Sequence, residues 1–320
     1  MHYHSHSIDI VLATYNGESY ISEQVSSIIN MVGFDEYIGK IIICDDNSKD
    51  STVNIIKSLV ASEKLEILYN NNKHNYGPVK NFERGILHSS AEYIMLSDQD
   101  DVWDKYKLKK YIDTIASLDK DKPFLIFSDL EVVDEKLNVI SPSFLAYQSI
   151  PFDWYLSLDN LLIQNTAPGC TMFFNKSLVK KALPLPPACI MHDWWLLIVA
   201  KILGEVYFIK EPLIKYRQHG KNQVGAKKLG FIKTAKSLKV SSKSAHQNLI
   251  KTIMQMNAFN MLFNNDIPQA IKIKIHAWNY CFLSKNYRIR ALYTMFSKGL
   301  KKSSLVKTLG LYYLILMGNK

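Results

Sequence analysis

Four short apolar runs punctuate the amino-terminal part of the chain: Ile8–Ala13, Lys40–Cys44, Leu65–Tyr69 and Tyr93–Leu96. The first two are rich in β-branched residues, which predicts strands buried on both faces; the other two are further strand candidates. Between them the apolar residues change period. Ile21, Val25, Ile28 and Ile29 recur at helical spacing, as do Val53, Ile56 and Val60. "GPVKNFERGILHSS" reads as another helix, with Pro78 tolerated in its first turn. The alternation βαβαβαβ predicts an α/β fold with an open, mostly parallel sheet and helices on both faces. Beyond residue 223 the pattern is helical, in "HQNLIKTIMQMNAFNMLF", "AIKIKIHAWNYCFLSKN", "IRALYTMFSKGL" and "SLVKTLGLYYLILMG". The last run, Leu305–Met317, is too short to span a bilayer and is expected to pack as a core helix or to lie on a membrane.

In open α/β sheets ligands bind outside the carboxyl ends of the strands. Three predicted strands end in polar clusters: "ATYNGE" (Ala13–Glu18), "CDDNSKDS" (Cys44–Ser51) and "SDQDD" (Ser97–Asp101). Each alone has a local explanation. Asp50 or Ser51 would cap the next helix, and "YNG" would make a tight turn. Three on one edge predict a site. In "SDQDDVW" three carboxylates fall within four residues, a crowding that calls for a cation or a proton.

Composition narrows the class. The chain has 320 residues, 48% hydrophobic and 21% charged, an ordinary globular balance. Its four cysteines stand apart, which argues against a disulfide scaffold or zinc site and for a reducing compartment. "MHYHSHSIDIV" lacks the apolar core of a leader, and no run of about 20 apolar residues is present; the expected location is cytoplasmic. The net charge of +10 is concentrated. No acid occurs between Glu211 and Asp266, while lysines crowd Lys221–Lys251. Leu229, Ile232, Ala235 and Leu238 interleave with them, the pattern of a basic amphipathic helix suited to an anionic membrane surface or a solvated face. Nucleic acid is a poorer fit, because Phe231 is the sole aromatic platform there.

Taken in order, "IVLATYNGESYISEQVSSI", "IIICDDNSKDST" and "YIMLSDQDDVWDKYKL" resemble the inverting family 2 glycosyltransferases of GT-A (Rossmann-like) fold. "SDQDDVW" is similar to the bacterial rhamnosyltransferase-like branch, which acts in surface-polysaccharide synthesis. The resemblance runs from Ile8 to Asn222 and implies a catalytic domain over 1–222. Residues 1–101 would bind nucleotide and 102–222 acceptor, leaving 223–320 as a helical region for membrane association or homo-oligomerisation.

The resemblance also implies roles. Ala13, Thr14, Tyr15 and Asp46 would hold the nucleotide base. Asp100 would contact Mg²⁺ or Mn²⁺, with Asp98 facing the ribose or a metal-bound water, and Asp101 fixing the loop or touching the sugar. In "MHDWWLLIVAKI" Asp193 would be the base for the acceptor hydroxyl. His192 would lie beside the acceptor, Trp194 and Trp195 would shield the base from water or stack on a sugar face, and a strand in which Gly169 permits close approach would lie under the acceptor. In "YRQHGKN" His219 would bind the metal and Arg217 the diphosphate, and Lys80 is a further diphosphate candidate. The implied donor is dTDP-rhamnose or a UDP-hexose, and the acceptor a glycan or a polyisoprenyl-diphosphate-linked oligosaccharide. Two rivals differ in chemistry. A sugar-nucleotide nucleotidyltransferase should carry a basic, Gly-rich loop where "ATYNGESY" has one glycine and no Lys or Arg. A non-catalytic basic binding protein would not need the acids.

Overall fold

A computed structural model describes residues 6–59, 64–70, 72, 74–220, 235–283, 293 and 301–317. The four predicted strands form as β1 (Ile8–Thr14), β2 (Ile38–Asp45), β3 (Leu65–Tyr69) and β4 (Tyr93–Ser97). They lie parallel in the order β3-β2-β1-β4. The apolar runs of β1, β2 and β4 are buried on both faces, as parallel strands between helices require, whereas β3, at the end of the sheet, is half-buried and finishes in the exposed Tyr69. The sheet continues through β8 (Phe173–Asn175), β6 (Phe124–Val133) and β9 (Glu205–Arg217) to the two-residue β5 (Val102–Trp103), with β7 (Val139–Ser141) pairing β6.

Strand direction decides what meets at the site. β8 runs antiparallel to both β4 and β6, and β9 is parallel to β6. The carboxyl ends of β1, β2, β4 and β9 therefore share one edge with the residues that lead into β8. The helices Ile21–Ile29, Thr52–Leu59 and Pro78–His88 follow the first three strands, and Asp50 caps the second of them through Thr52 N–H at 3.0 Å. The helix Pro78–His88 packs tightly at Gly85. A Cβ there would stand 2.3 Å from Val11 Cγ1 and 2.6 Å from Cys44 Sγ.

The described chain divides into two compact units. One comprises residues up to Tyr147, Ala167–Leu185 and Met191–Ala226, and contains the sheet. The other gathers Gln148–Thr166, Pro186–Ile190 and Lys227–Lys320. Its described helices include Leu158–Ile163, Ala235–Leu262, Gln269–Leu283 and Leu305–Met317. Leu161, Ile253, Met256, Phe259, Phe263, Ile275 and Leu311 are buried within it. A Lys274–Asp159 ion pair, a Gln164–Ser303 hydrogen bond (3.0 Å) and the Gln255 carboxamide accepting from Ile190 N–H (2.8 Å) tie its segments together. Lys221, Lys227, Lys228 and Lys233 of the basic stretch, and most of "IRALYTMFSKGL", lie outside the described residues. No helix among the described residues is long and apolar enough to cross a membrane.

Candidate active site

The first two polar clusters interlock. Asn16 N–H donates to Ser48 Oγ at 2.9 Å, and Lys49 N–H returns a bond to Asn16 Oδ1 at 2.8 Å. Gly17 N–H donates to Thr52 Oγ1 and Ser51 N–H to Glu18 Oε2, both at 2.8 Å. "YNGE" is thus bolted to the loop after β2 and is more than a turn. Gln99 clamps it from the other side. Its Oε1 accepts from Thr14 Oγ1 (2.7 Å) and Tyr15 N–H (2.8 Å), while its Nε2 donates to Tyr15 O (3.2 Å). The phenol of Tyr15 remains exposed above this platform, and Ala13 pairs with Cys44 inside the sheet.

Asp46 is buried and orders the loop after β3. It accepts from Asn70 Nδ2 (2.7 Å), Tyr76 N–H (2.8 Å) and Gly77 N–H (2.8 Å). A carboxylate offers about four lone-pair sites, so one remains for a base N–H. Lys80, one turn further, pairs with Glu83 at 2.5 Å.

The third cluster separates into an outer and an inner part. Asp100 pairs with His219 Nε2 at 2.7 Å, and the imidazole lies against Tyr20 with ring centroids 4.8 Å apart. Arg217 is buried and braces the loop from beneath: Nε donates to Asp100 O (2.9 Å), Nη1 to Glu135 O (2.7 Å) and Nη2 to Glu23. The fully buried Gln24 supports the same loop, its amide nitrogen toward Asp101 O and its oxygen accepting from Ser97 Oγ (2.7 Å) and Trp103 Nε1 (3.1 Å). On the inner side, single atoms of Asp98, Asp101 and Cys170 come within 4.8 Å of one another. Burial and the charges of Asp100 and Asp193 push Asp98 up to about 7. Burial, with Asp100 and Asp98 adding to it, drives Asp101 well above the carboxylate range, and its Oδ2 has no partner among the described residues.

This crowding fits a hard divalent cation. Asp98, Asp100 and His219 offer the oxygen and imidazole donors that Mg²⁺ or Mn²⁺ accepts. Cys170 does not fit such an ion, because burial holds its thiol far above its usual pKa and sulfur is a soft ligand.

Asp193 opens the helix His192–Leu203 and accepts from Trp194 N–H at 2.6 Å. A Cβ on Gly169 would stand 2.9 Å from His192 Nε2 and 3.6 Å from Asp193 Cβ, so the glycine is what lets these two residues approach the turn before β8. His192 is buried and stacked on Phe82 with centroids 4.0 Å apart; burial lowers its imidazole to about 3. One expectation changes here. Trp195 is 1% exposed and its indole N–H donates to Ala182 O at 2.9 Å, so it is a core anchor with no ring face for a sugar. Trp194 is nearly as buried, at 8%.

The model of Glycosyl transferase family 2 matches residues 9–178, which takes in all three strand-end clusters. The chain belongs to that family. This glycosyltransferase is 32% identical over 250 residues to dTDP-rhamnosyl transferase RfbG of Shigella flexneri, covering 69% of this chain and 79% of the relative. It is 26% identical over 175 residues to the Escherichia coli UDP-Glc:alpha-D-GlcNAc-diphosphoundecaprenol beta-1,3-glucosyltransferase WfgD, covering 54% and 61% respectively. The S. aureus TarS 1-349 structure superposes with a TM-score of 0.58 over 97% of this chain and 81% of that one at 13% identity, which establishes the GT-A-like fold. Membership of the family sets aside the nucleotidyltransferase and non-catalytic readings. Within the glycosyltransferase, four participants carried no sequence signal as site residues. Gln99 looks like a spacer between two acids, Gln24 like one more helix residue, and Cys170 like a core residue, while Lys107, whose buried ammonium lies over the Trp103 ring and donates to Cys170 O at 2.9 Å, looks like a surface lysine.

Proposed function

We propose that this glycosyltransferase transfers a sugar, with inversion at the anomeric carbon, from a nucleoside diphosphate sugar to a hydroxyl of a glycan or polyisoprenyl-diphosphate-linked acceptor in surface-polysaccharide synthesis. The donor is dTDP-rhamnose or a UDP-hexose, in keeping with the names of the relatives RfbG and WfgD. One observation carries the reading. Asp193 and the crowded acids after β4 meet at one turn: a Cβ on Gly169 would stand 3.6 Å from Asp193 Cβ, and the next residue, Cys170, has its sulfur within 4.8 Å of carboxylate oxygens of Asp98 and Asp101.

The residues divide the work. Tyr15 and Asp46 receive the base, and Asp98, Asp100 and His219 hold Mg²⁺ or Mn²⁺. When bound, the cation supplies charge stabilisation for the departing nucleoside diphosphate. Lys80, half exposed, is the basic side chain assigned to the diphosphate, whereas Arg217, the other candidate for it, is buried and uses its guanidinium to brace the loop that carries Asp100. Asp193 takes the proton of the acceptor hydroxyl as that oxygen attacks, and Gly169 keeps the approach open. With Asp193 as the one base assigned and no separate nucleophile assigned among the described residues, the reading is one displacement, hence inversion. A screen of nucleotide sugars by hydrolysis and thermal shift, with Mn²⁺ and with EDTA, tests the donor and the metal together. Equal activity in EDTA would remove the metal, and a product of retained anomeric configuration by proton NMR would remove the single displacement.

The reading extends to place. An acceptor on a membrane lipid would account for the basic stretch Lys221–Lys251 and for the apolar residues Leu305, Val306 and Leu309, which are exposed in their own unit. Each lysine near an anionic surface contributes about 1 kcal/mol. Flotation with anionic liposomes, weakened by salt, is expected; a protein that stays at the bottom of the gradient at low salt would point instead to a homo-oligomer.

A further inference from the structure

Two tyrosines adjoin Asp46 with their rings in the open. Tyr15 is 40% exposed and Tyr76 is 41% exposed. Single exposed aromatics are ordinary on a protein surface. What distinguishes these two is where their backbones are bound. Asp46 N–H donates to Thr14 O at 2.9 Å, which fixes the acid beside the residue that precedes Tyr15. The Asp46 carboxylate accepts from Tyr76 N–H and from Gly77 N–H, each at 2.8 Å. The acid assigned to the base is therefore bonded on one side to the loop after β1 and on the other to Tyr76 itself, in the loop after β3.

The Tyr76 ring is held as well as displayed. The Arg84 guanidinium lies over it, with Cζ 4.9 Å from the centroid, and the Asn72 carboxamide donates to its hydroxyl. Both holders are themselves fixed. Arg84 donates to Tyr69 O at 2.8 Å and to Asn81 Oδ1 at 3.1 Å, and Asn72 N–H donates to Asn70 Oδ1 at 2.9 Å. Asn70 in turn donates to Asp46 at 2.7 Å. A cation covers one face of the ring and the hydroxyl is occupied, so the exposure that is left belongs to the opposite face and the edge. A ring fixed in this way loses side-chain freedom without burying its surface. A flat ligand laid on the open face offsets that cost, because the ring is already in place when the ligand arrives.

Asp46 indicates which flat ligand. Its remaining lone pair calls for an N–H at the edge of a planar ring, and uracil and thymine each carry one. We propose that Tyr76 is an aromatic wall of the base site: Asp46 grips the edge of the pyrimidine and Tyr76 takes one of its faces. The proposal rests on the reading of Asp46 as the base receptor given above. The two residues then have separable effects. Every base has a π-face, so stacking on Tyr76 adds affinity without choosing between bases, whereas the acid chooses.

The full chain is titrated calorimetrically with UDP and with CDP in the presence of Mn²⁺, as wild type, Tyr76→Ala, Tyr76→Phe and Asp46→Asn. The wild type should prefer UDP, because cytosine has no ring N–H for Asp46. Tyr76→Ala should weaken both nucleotides by a common factor of about fivefold to a hundredfold, the loss of one stacked aromatic. Tyr76→Phe keeps the ring and gives up only the bond to Asn72, so it should stay within about threefold of wild type. Asp46→Asn should narrow the preference for UDP. Should Tyr76→Ala not fold, Tyr76→Leu, which has bulk without a π-face, takes its place. A Tyr76→Ala protein that binds UDP like wild type overturns the wall. So does one whose preference for UDP collapses as in Asp46→Asn, because Tyr76 would then be a prop for the acid. If the wild type does not discriminate between UDP and CDP, the reading of Asp46 fails. The wall is then decided by the ring alone: it stands if Tyr76→Phe binds like wild type and Tyr76→Ala does not, and falls if the two variants are alike. A wild type that binds neither UDP nor dTDP overturns the wall together with the base site.

Discussion

The sheet-bearing unit and the helical unit spend their side chains differently. At the carboxyl edge of the sheet, polar groups are consumed in fixing loops: Asn16, Ser48, Gln99, Asp46 and Arg217 each bind the backbone of a neighbouring segment. In the helical unit it is apolar groups that are left over. Met261 is 80% exposed and Leu305 is 74% exposed within the described residues. Catalysis rewards the first arrangement, since groups held in place cost no reorganisation during reaction. Association rewards the second. Substitutions in the two regions should therefore fail in different ways.

The largest effect belongs to Asp100. Asp100→Asn removes an anionic donor from the acid loop and weakens the contact with His219, and transfer should fall below detection. Nucleotide binding should lose its Mn²⁺ dependence by calorimetry while the melting temperature changes little. Asp193→Asn comes next. Positioned bases contribute roughly 10²–10⁴-fold, so initial rates should drop in that range while donor binding, followed by titration, stays near wild type.

Gly169→Ala tests the approach of Asp193. The added methyl meets His192 Nε2 at 2.9 Å, and overpacking of this kind costs about 1–3 kcal/mol. We expect kcat to fall about tenfold with a smaller change in donor KM, read alongside a lowered midpoint of denaturation.

His192 supplies a pH test. Its folded pKa of about 3 lies below the ordinary 6.5. The unfolded chain thus binds the extra proton first as pH falls. Stability from this residue is complete above about pH 6.5 and drains at up to about 1.4 kcal/mol per pH unit down toward pH 3. His192→Phe, which keeps a ring against Phe82, should flatten that slope in urea denaturation across pH 4–7.

The smallest effect lies in the other unit. Leu309→Glu alters an exposed residue and should change stability by under about 0.5 kcal/mol. Transfer to a soluble acceptor should be unchanged, and flotation with anionic liposomes should weaken. A marked loss of soluble activity would erase the contrast between the two units.

Most of the scaffold was legible. Strands of a parallel sheet write themselves as short, mainly apolar runs, and all four begin and end within a few residues of where those runs do. Polar clusters at their ends then announce the edge. What the clusters do to one another was not legible. The three bonds of Asp46 depend on the path of the loop after β3, which no periodicity reports. Lys107 sits in "KLKKYI", an ordinary amphipathic pattern; only the two-residue strand β5 and the turn before β8 bring Trp103 and Cys170 to its ammonium. Trp195 divides for a related reason. An aromatic beside a base can stack on a sugar or keep water away, and the helix turns this one into the core, which leaves only the second.

Gln99 and Gly17 deserve to be considered together. A Cβ on residue 17 would come 2.4 Å from Gln99 Oε1, the atom that also grips Thr14 and Tyr15. The two positions, far apart in the chain, are one unit of packing. A side chain at residue 17 would push the Gln99 carboxamide off its grip on Thr14 and Tyr15, and a shorter residue at 99 would leave the first loop unclamped. Transplanting the acid triplet between relatives without its partner in the first loop would carry the chemistry across and leave the geometry behind.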